Sequence, residues 1–371
     1  MWNIITPTGR VTGVLNVDMQ GRISGIQEIH GKAEGWLLPG FIDLHIHGGG
    51  GKDLMEGGDA LRTLTKAHAR CGTTSLLATT VTASPESLAS VLSDVRAFMD
   101  KPRSADTSRV LGVHLEGPFV NPDKLGAQPP ESRVATREEI DYLLTLADIR
   151  LITLAAEFQE NLNLIPYLCE KNIRVQQGHT LATYEQSLHA MRCGAKGFAH
   201  LYNAMSGTHH REPGVLAAAL AHAEFAEIIP DFEHVHSGAL LAARRAIPKL
   251  YGVTDSCSAM GMPDGEYKLG THTIYKYPCM SATRLKDGNL AASTLSMDQA
   301  LRNFLSLGMT PEEASARLSL YPAEFLGLND RGRIEPGAWA DYVILDKNFE
   351  LLEVVIEGVP VTLTSHNEGE L

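Results

Sequence analysis

The 371-residue chain is short of the features that would take a protein to a membrane or to nucleic acid. No apolar run approaches the roughly 18 residues that a bilayer span needs. The first residues, Met1 to Pro7, lack a charged region followed by an apolar stretch, so no secretory signal is expected. Basic residues are in the minority, 32 against 44 acidic ones for a net charge of −12, which disfavours a phosphate backbone as partner. Cysteine is scarce: Cys71, Cys169, Cys193, Cys257 and Cys279 are odd in number, scattered and without a C-x-x-C pair. Neither a disulfide framework nor a thiolate zinc site is expected, and reduced thiols in a cytoplasmic protein are. No glycine-rich dinucleotide loop follows the first predicted strand, and there is no internal repeat. If a metal is bound, histidine must carry it, and the chain has 15.

What is present is alternation. Short runs rich in Val, Ile, Leu and Thr lie at Leu37–His47, Thr73–Thr80, Val110–Glu116, Leu151–Glu157, Ile173–His179, Gly197–Leu201, Glu227–Asp231 and Leu250–Asp255. Amphipathic segments such as Thr136–Leu146 and Thr183–Cys193 separate them, as in parallel strands joined by crossover helices. Eight such units predict an α/β protein built on a (β/α)8 TIM-like barrel, with a doubly wound open sheet as the competing architecture. Residues 1–36 and 334–371 instead carry short alternating segments and turn signals, predicting a small β-sandwich domain formed by both termini beside a barrel of residues 37–333. Residues Asn367–Leu371 read as a solvated tail.

The chemistry-bearing residues fall at the ends of predicted strands. In Asp43-Leu44-His45-Ile46-His47, strand alternation places His45 and His47 on one face. His114 and Glu116 repeat that geometry before Gly117-Pro118 stops the third strand. His179, His200 and Asp255 end three others. Each alone has an ordinary structural explanation; together they occupy the end of the strands where barrel active sites lie. Six nitrogen and oxygen donors without cysteine fit one or two divalent cations, zinc first, with iron, manganese or cobalt as the other candidates.

Longer stretches carry a resemblance: PGFIDLHIHGGGG (39–51), TTVTAS (79–84), HLEGPFVNPDKLGA (114–127), QGHT (177–180), HLYNAM (200–205), HREPG (210–214), VTDSCSAMGMPDG (253–265) and LAASTLSMDQALRN (290–303). Together they resemble the N-acetylglucosamine-6-phosphate deacetylases of the amidohydrolase superfamily. The resemblance implies a metal-containing barrel with a terminal β domain, Glu116, His179 and His200 as main metal ligands, and His45 and His47 as marks of two-metal members. It implies Asp255 as the catalytic acid and base, and a homodimer acting on a small sugar phosphate. Ala127, Gln128, Asn203, Ala204, Arg211, His234, Leu290, Ala291 and Ala292 match substrate-contacting positions, with Arg211 expected on the phosphate, supplied by the same or a neighbouring subunit. Three positions depart from the family pattern: Gln128 replaces a histidine, while Phe232 and Ala292 each replace a glycine. All three lie where the sugar is recognised. An N-acetylgalactosamine-6-phosphate or another N-acyl hexosamine is therefore the alternative substrate. A dihydroorotase-like enzyme is disfavoured, since Leu151–Glu157 has no lysine to bridge two metals. A non-catalytic barrel scaffold would be expected to have lost some of the six donors.

Overall fold

In the computed structural model, which describes residues 1–363, all eight predicted runs contribute barrel strands. These are Phe41–Ile46, Thr73–Thr79, Arg109–Glu116, Ile149–Leu154, Arg174–Gln177, Gly197–Phe198, Phe225–Ile228 and Lys249–Gly252. The first six pair in chain order, each pair parallel, and the seventh pairs with the eighth. Backbone hydrogen bonds join the two groups, from Leu201 N to Glu227 O and from Asp255 N to His45 O, both 2.9 Å. The result is the TIM-like barrel. The tail expected over Asn367–Leu371 lies outside the described residues.

A helix follows each strand, and four of the eight start on a side-chain cap. Thr136 accepts a hydrogen bond from Glu139 N to start Arg137–Leu146. Thr183 and Gln186 form a reciprocal capping box at Tyr184–Cys193. Ser84 caps Pro85–Met99, with proline in the first turn where its missing N–H costs nothing. Among the described residues, no helix is long and apolar enough to cross a membrane.

Strands from the two ends of the chain share one seven-stranded sheet, in the spatial order Val359–Pro360, Leu351–Ile356, Tyr342–Leu345, Trp36–Pro39, Trp2–Thr6, Gly9–Val17, Ile23–Glu28. Period-two alternation explains its packing. Ile5, Leu38, Val343 and Leu345 face the barrel's core, while their neighbours Ile4, Leu37 and Ile344 meet Ile23 and Ile334 on the opposite face. The run predicted as one strand from Leu37 to His47 is therefore two. It breaks at Gly40, where a Cβ would lie 2.2 Å from the Thr74 side chain, and its first half pairs with terminal strands. A second departure is a four-stranded antiparallel sheet, Gly265–Leu269, His272–Lys276, Ala282–Arg284 and Leu290–Ser293, inserted between the eighth strand and its helix Met297–Ser306. Its last strand is tied to the barrel rim through Ser256 and Ser293. No element was expected over 265–289, and the structure supplies the pairing that makes it a sheet.

Candidate metal centre and active site

The six expected donors converge. Glu116 Oε1 lies 3.2 Å from His45 Nε2, 3.2 Å from His179 Nε2 and 3.0 Å from His200 Nε2. Its other oxygen, Oε2, is 3.2 Å from His47 Nε2, and Asp255 Oδ1 is 3.2 Å from that same nitrogen. His179 and His200 face each other through their Nε2 atoms at 3.1 Å, and His45 and His47 at 3.3 Å. All six residues are buried.

Three of the four remaining ring nitrogens explain why the Nε2 atoms meet, while His200 Nδ1 is buried without a hydrogen-bond partner. His45 Nδ1 is 2.9 Å from Glu227 Oε2, His47 Nδ1 is 3.2 Å from Thr79 O, and His179 Nδ1 is 2.7 Å from Lys124 O. An oxygen acceptor at Nδ1 places the proton there and leaves Nε2 with a bare lone pair. Bare lone pairs of His45 and His47 at 3.3 Å repel unless positive charge lies among them. Electrostatics agree. Burial opposes protonation of His45 and His47, yet the surrounding carboxylates overcome it, raising His45 well above its ordinary range and His47 to about 9. Burial would raise the Glu116 and Asp255 carboxyls, but the facing imidazoles hold both below their usual values. Four imidazole nitrogens and two carboxylates, buried and drawing positive charge, fit a divalent cation.

The backbone pays for this convergence. His179, His200, Ala204 and Asp255 have φ of +47°, +26°, +49° and +49°, values that non-glycine residues rarely adopt. Gly117, directly after Glu116, has φ +77°, and a Cβ there would come within 2.2 Å of Thr82 Oγ1. No other residue fits that turn without displacing Thr82.

Glu227 and two backbone carbonyls, those of Thr79 and Lys124, were not expected from the sequence. Glu227, fully buried, accepts from Gln176 Nε2 at 3.1 Å and from His200 N at 3.2 Å besides holding His45. A carboxylate inside the apolar strand Phe225–Ile228 was the available signal, since such a charge is not buried without partners. The Lys124 carbonyl had none, because any residue could supply it. His114, by contrast, is a core histidine: burial first, and then the positive charge drawn to His45, press its pKa well below the ordinary value, and its nitrogens meet Leu44 O and Thr153 Oγ1.

A cleft opens above the cluster. Ala127, Gln128, Asn203, Ala204, His234, Leu290 and Ala291 line it together with His47, Glu116, His179, His200 and Asp255. His234 is fixed by Asp231, whose Oδ2 is 2.6 Å from Nδ1; burial opposes its protonation, but that carboxylate raises its pKa. Two expected contacts are not part of this cleft. Ala292 points into a small apolar cluster with Val81, Cys257 and Ile274, because it sits on the opposite face of its strand from Ala291. Arg211 is exposed on the loop before Gly214–His222, with Nη1 2.7 Å from His210 Nε2. Gln128 lines the cleft, but its amide is committed at both ends: Oε1 accepts from Thr82 N and Nε2 donates to Glu116 Oε2, both at 2.6 Å.

Comparison with known proteins places this arrangement. The chain matches the amidohydrolase family model over residues 36–361. It is 39% identical over 330 residues to the N-acetylgalactosamine-6-phosphate deacetylase of Escherichia coli O157:H7, covering 87% of this chain and 86% of that one. It is 36% identical over 361 residues to the N-acetylglucosamine-6-phosphate deacetylase of Vibrio furnissii, covering 93% and 90%. A mutant N-acetyl-D-glucosamine-6-phosphate deacetylase from Mycobacterium smegmatis, solved with N-acetyl-D-glucosamine-6-phosphate, superposes with a TM-score of 0.89 at 29% identity over 97% of each chain. The chain belongs to the amidohydrolase family and, within it, to the N-acetylglucosamine-6-phosphate deacetylase family.

Proposed function

We propose that this enzyme hydrolyses the N-acetyl group of an N-acetylhexosamine 6-phosphate, N-acetylglucosamine 6-phosphate first, releasing acetate and the amino-sugar phosphate. The observation that carries the reading is the convergence of four Nε2 atoms and two carboxylates beneath a cleft, in a chain related to named deacetylases. Glu116, His179 and His200 would hold one divalent cation, and His45, His47 and Asp255 a second, with zinc the first expectation. A cation bound there acidifies water and polarises a carbonyl. Asp255, at the floor of the cleft, takes the proton of the attacking water and passes it to the departing nitrogen, which would otherwise leave as an amide anion. His45, His47 and His179 are kept in the productive tautomer by Glu227, Thr79 O and Lys124 O.

Asn203, Ala204, His234, Leu290 and Ala291 would form the sugar's walls. Arg211, exposed and outside its own chain's cleft, suits a phosphate contact made to a neighbouring subunit in a homodimer, its guanidinium fork giving two hydrogen bonds. Five unpaired cysteines support a reducing, cytoplasmic setting. The division into a barrel, residues 37–333, and a small β-sandwich domain of 1–36 with 334–371 belongs to the same reading. The two-faced terminal sheet supports it, with Trp36–Pro39 moving the first boundary to residue 40.

The galacto epimer is the second reading, favoured by the 39% identity to a deacetylase of that sugar. Acetate release from both epimers, each with and without the 6-phosphate, tests the proposal. One 6-phosphate should be preferred by at least about tenfold in kcat/KM, as expected where a site pairs specifically with a polar substrate group. Equal rates without the phosphate would remove the sugar-phosphate assignment.

A further inference from the structure

The loop after the third barrel strand returns to that strand's own carboxylate. Asn121 N donates to His179 O at 2.9 Å, Lys124 O receives His179 Nδ1–H, and the turn closed by Gln128 N to Leu125 O brings the Gln128 side chain over Glu116. The orientation of the Gln128 amide is fixed by chemistry. Thr82 N can only donate, so Oε1 must face it, and Nε2 must face Glu116. The two Glu116 oxygens are consequently unlike. Oε1 meets His45, His179 and His200, whereas Oε2 meets His47 and already accepts a 2.6 Å hydrogen bond from Gln128.

We propose that Gln128 is a positioning residue that locks the Glu116 carboxylate, holding Oε1 toward His179 and His200 and withholding Oε2 from a cation at His45, His47 and Asp255. The two cation positions of this centre are then unequal by construction. The Glu116–His179–His200 position is pre-set, because its carboxylate rotamer is fixed before any ligand arrives. The His45–His47–Asp255 position must compete with an amide N–H for the oxygen it would share, and fills at higher cation concentration. Gln128 spends one N–H and one carbonyl lone pair on this lock, so the sugar meets an amide whose orientation is already set.

This inference rests on the metal-centre reading above, and a binding experiment separates the two. Protein stripped with a chelator is titrated with Zn²⁺ by calorimetry and against a chromophoric chelator, for wild type, Gln128→Met and Gln128→Glu. Methionine keeps the length and removes both hydrogen bonds. Glutamate keeps the acceptor for Thr82 N, and with it the loop anchor, but removes the donor to Glu116. Wild type is expected to take up two equivalents with dissociation constants at least about tenfold apart, the range that hydrogen-bond partners of metal ligands command. Both variants should narrow that ratio by about tenfold. A variant too unstable to purify leaves the other to carry the comparison. Two equal uptake steps in wild type, or a wild-type ratio retained in the variants, would overturn the role of Gln128. No uptake by wild type would instead overturn the metal centre itself.

Discussion

One strand carries a charge cluster at each of its ends, fully buried at one and partly exposed at the other. Arg109 begins the third barrel strand and Glu116 finishes it, seven residues and so roughly 23 Å away. At the Arg109 end, Glu357 from the terminal sheet accepts a fork of two 2.8 Å hydrogen bonds from Arg109, one of 3.0 Å from Arg103 and one of 2.5 Å from Arg331. Arg331 also pairs with Asp341, and Arg103 reaches the Ile356 carbonyl at 2.8 Å. Every one of these contacts sets a donor against an acceptor. At the Glu116 end, Gln128 supplies one N–H, and the imidazole Nε2 atoms otherwise face one another and the carboxylate oxygens. Both ends depress a carboxylate's pKa, so a shifted value alone does not tell a site from a brace. Whether the hydrogen-bond set closes on itself does. The closed cluster ties the terminal sheet to the barrel, while the open one is complete only with something added.

The sharpest way to break that distinction is at the open end. Asp255→Asn preserves shape and removes the basic oxygen. It should lower kcat by roughly a thousandfold, in line with the loss of a positioned acid and base, without lowering the melting temperature. Steady-state kinetics beside a thermal melt would read both. A loss below about tenfold would put Asp255 among the structural carboxylates.

The closed end should behave in the opposite sense. Glu357→Gln leaves Arg103, Arg109 and Arg331 crowded around a neutral amide. Breaking a largely buried ion cluster from one side costs about 3 kcal/mol, which a shift in the denaturation midpoint would report. The kcat should stay within about twofold, since Glu357 lies at the far end of the barrel from Asp255. An unchanged midpoint would mean that the arginines are satisfied elsewhere.

How far the sequence announced these two ends differs for a physical reason. Donors at strand termini obey local rules: alternation puts His45 and His47 on one face, and the barrel gathers what eight strand ends present. All six were therefore legible without coordinates. So were the eight strands, because each is a local apolar run. The Glu357 cluster was not, because its members are separated by up to 254 positions and each looks like an ordinary surface charge. The same holds for the double commitment of Gln128 and for the seat of Glu227 against His45. The break at Gly40 was invisible for another reason: both halves of Leu37–His47 are apolar, and only the identity of their partners divides them.

The finest test of the contrast is its response to acid. Burial would raise the Glu357 carboxyl, but the three arginines hold it down at about 2, against an ordinary value of 4.5. The folded state thus binds this proton less readily than the unfolded chain does. Its contribution to stability is full above pH 4.5 and fades as the pH falls toward 2. Asp341 leans the other way, since burial raises it despite Arg331, and the Glu357 charge adds to that rise, so protonation of Asp341 partly offsets the change in the difference. Depressed carboxyls at the active site cancel. The stability gap between the two proteins should therefore be constant near neutrality and shrink steadily below pH 4.5. Urea midpoints taken from about pH 6 down to about pH 3 would trace it. A gap that stays level to the acid end would mean that the arginines do not hold the Glu357 charge. The closed cluster would then be an arrangement of shape alone, and the contrast between the two ends of the strand would have to be drawn from the active-site end by itself.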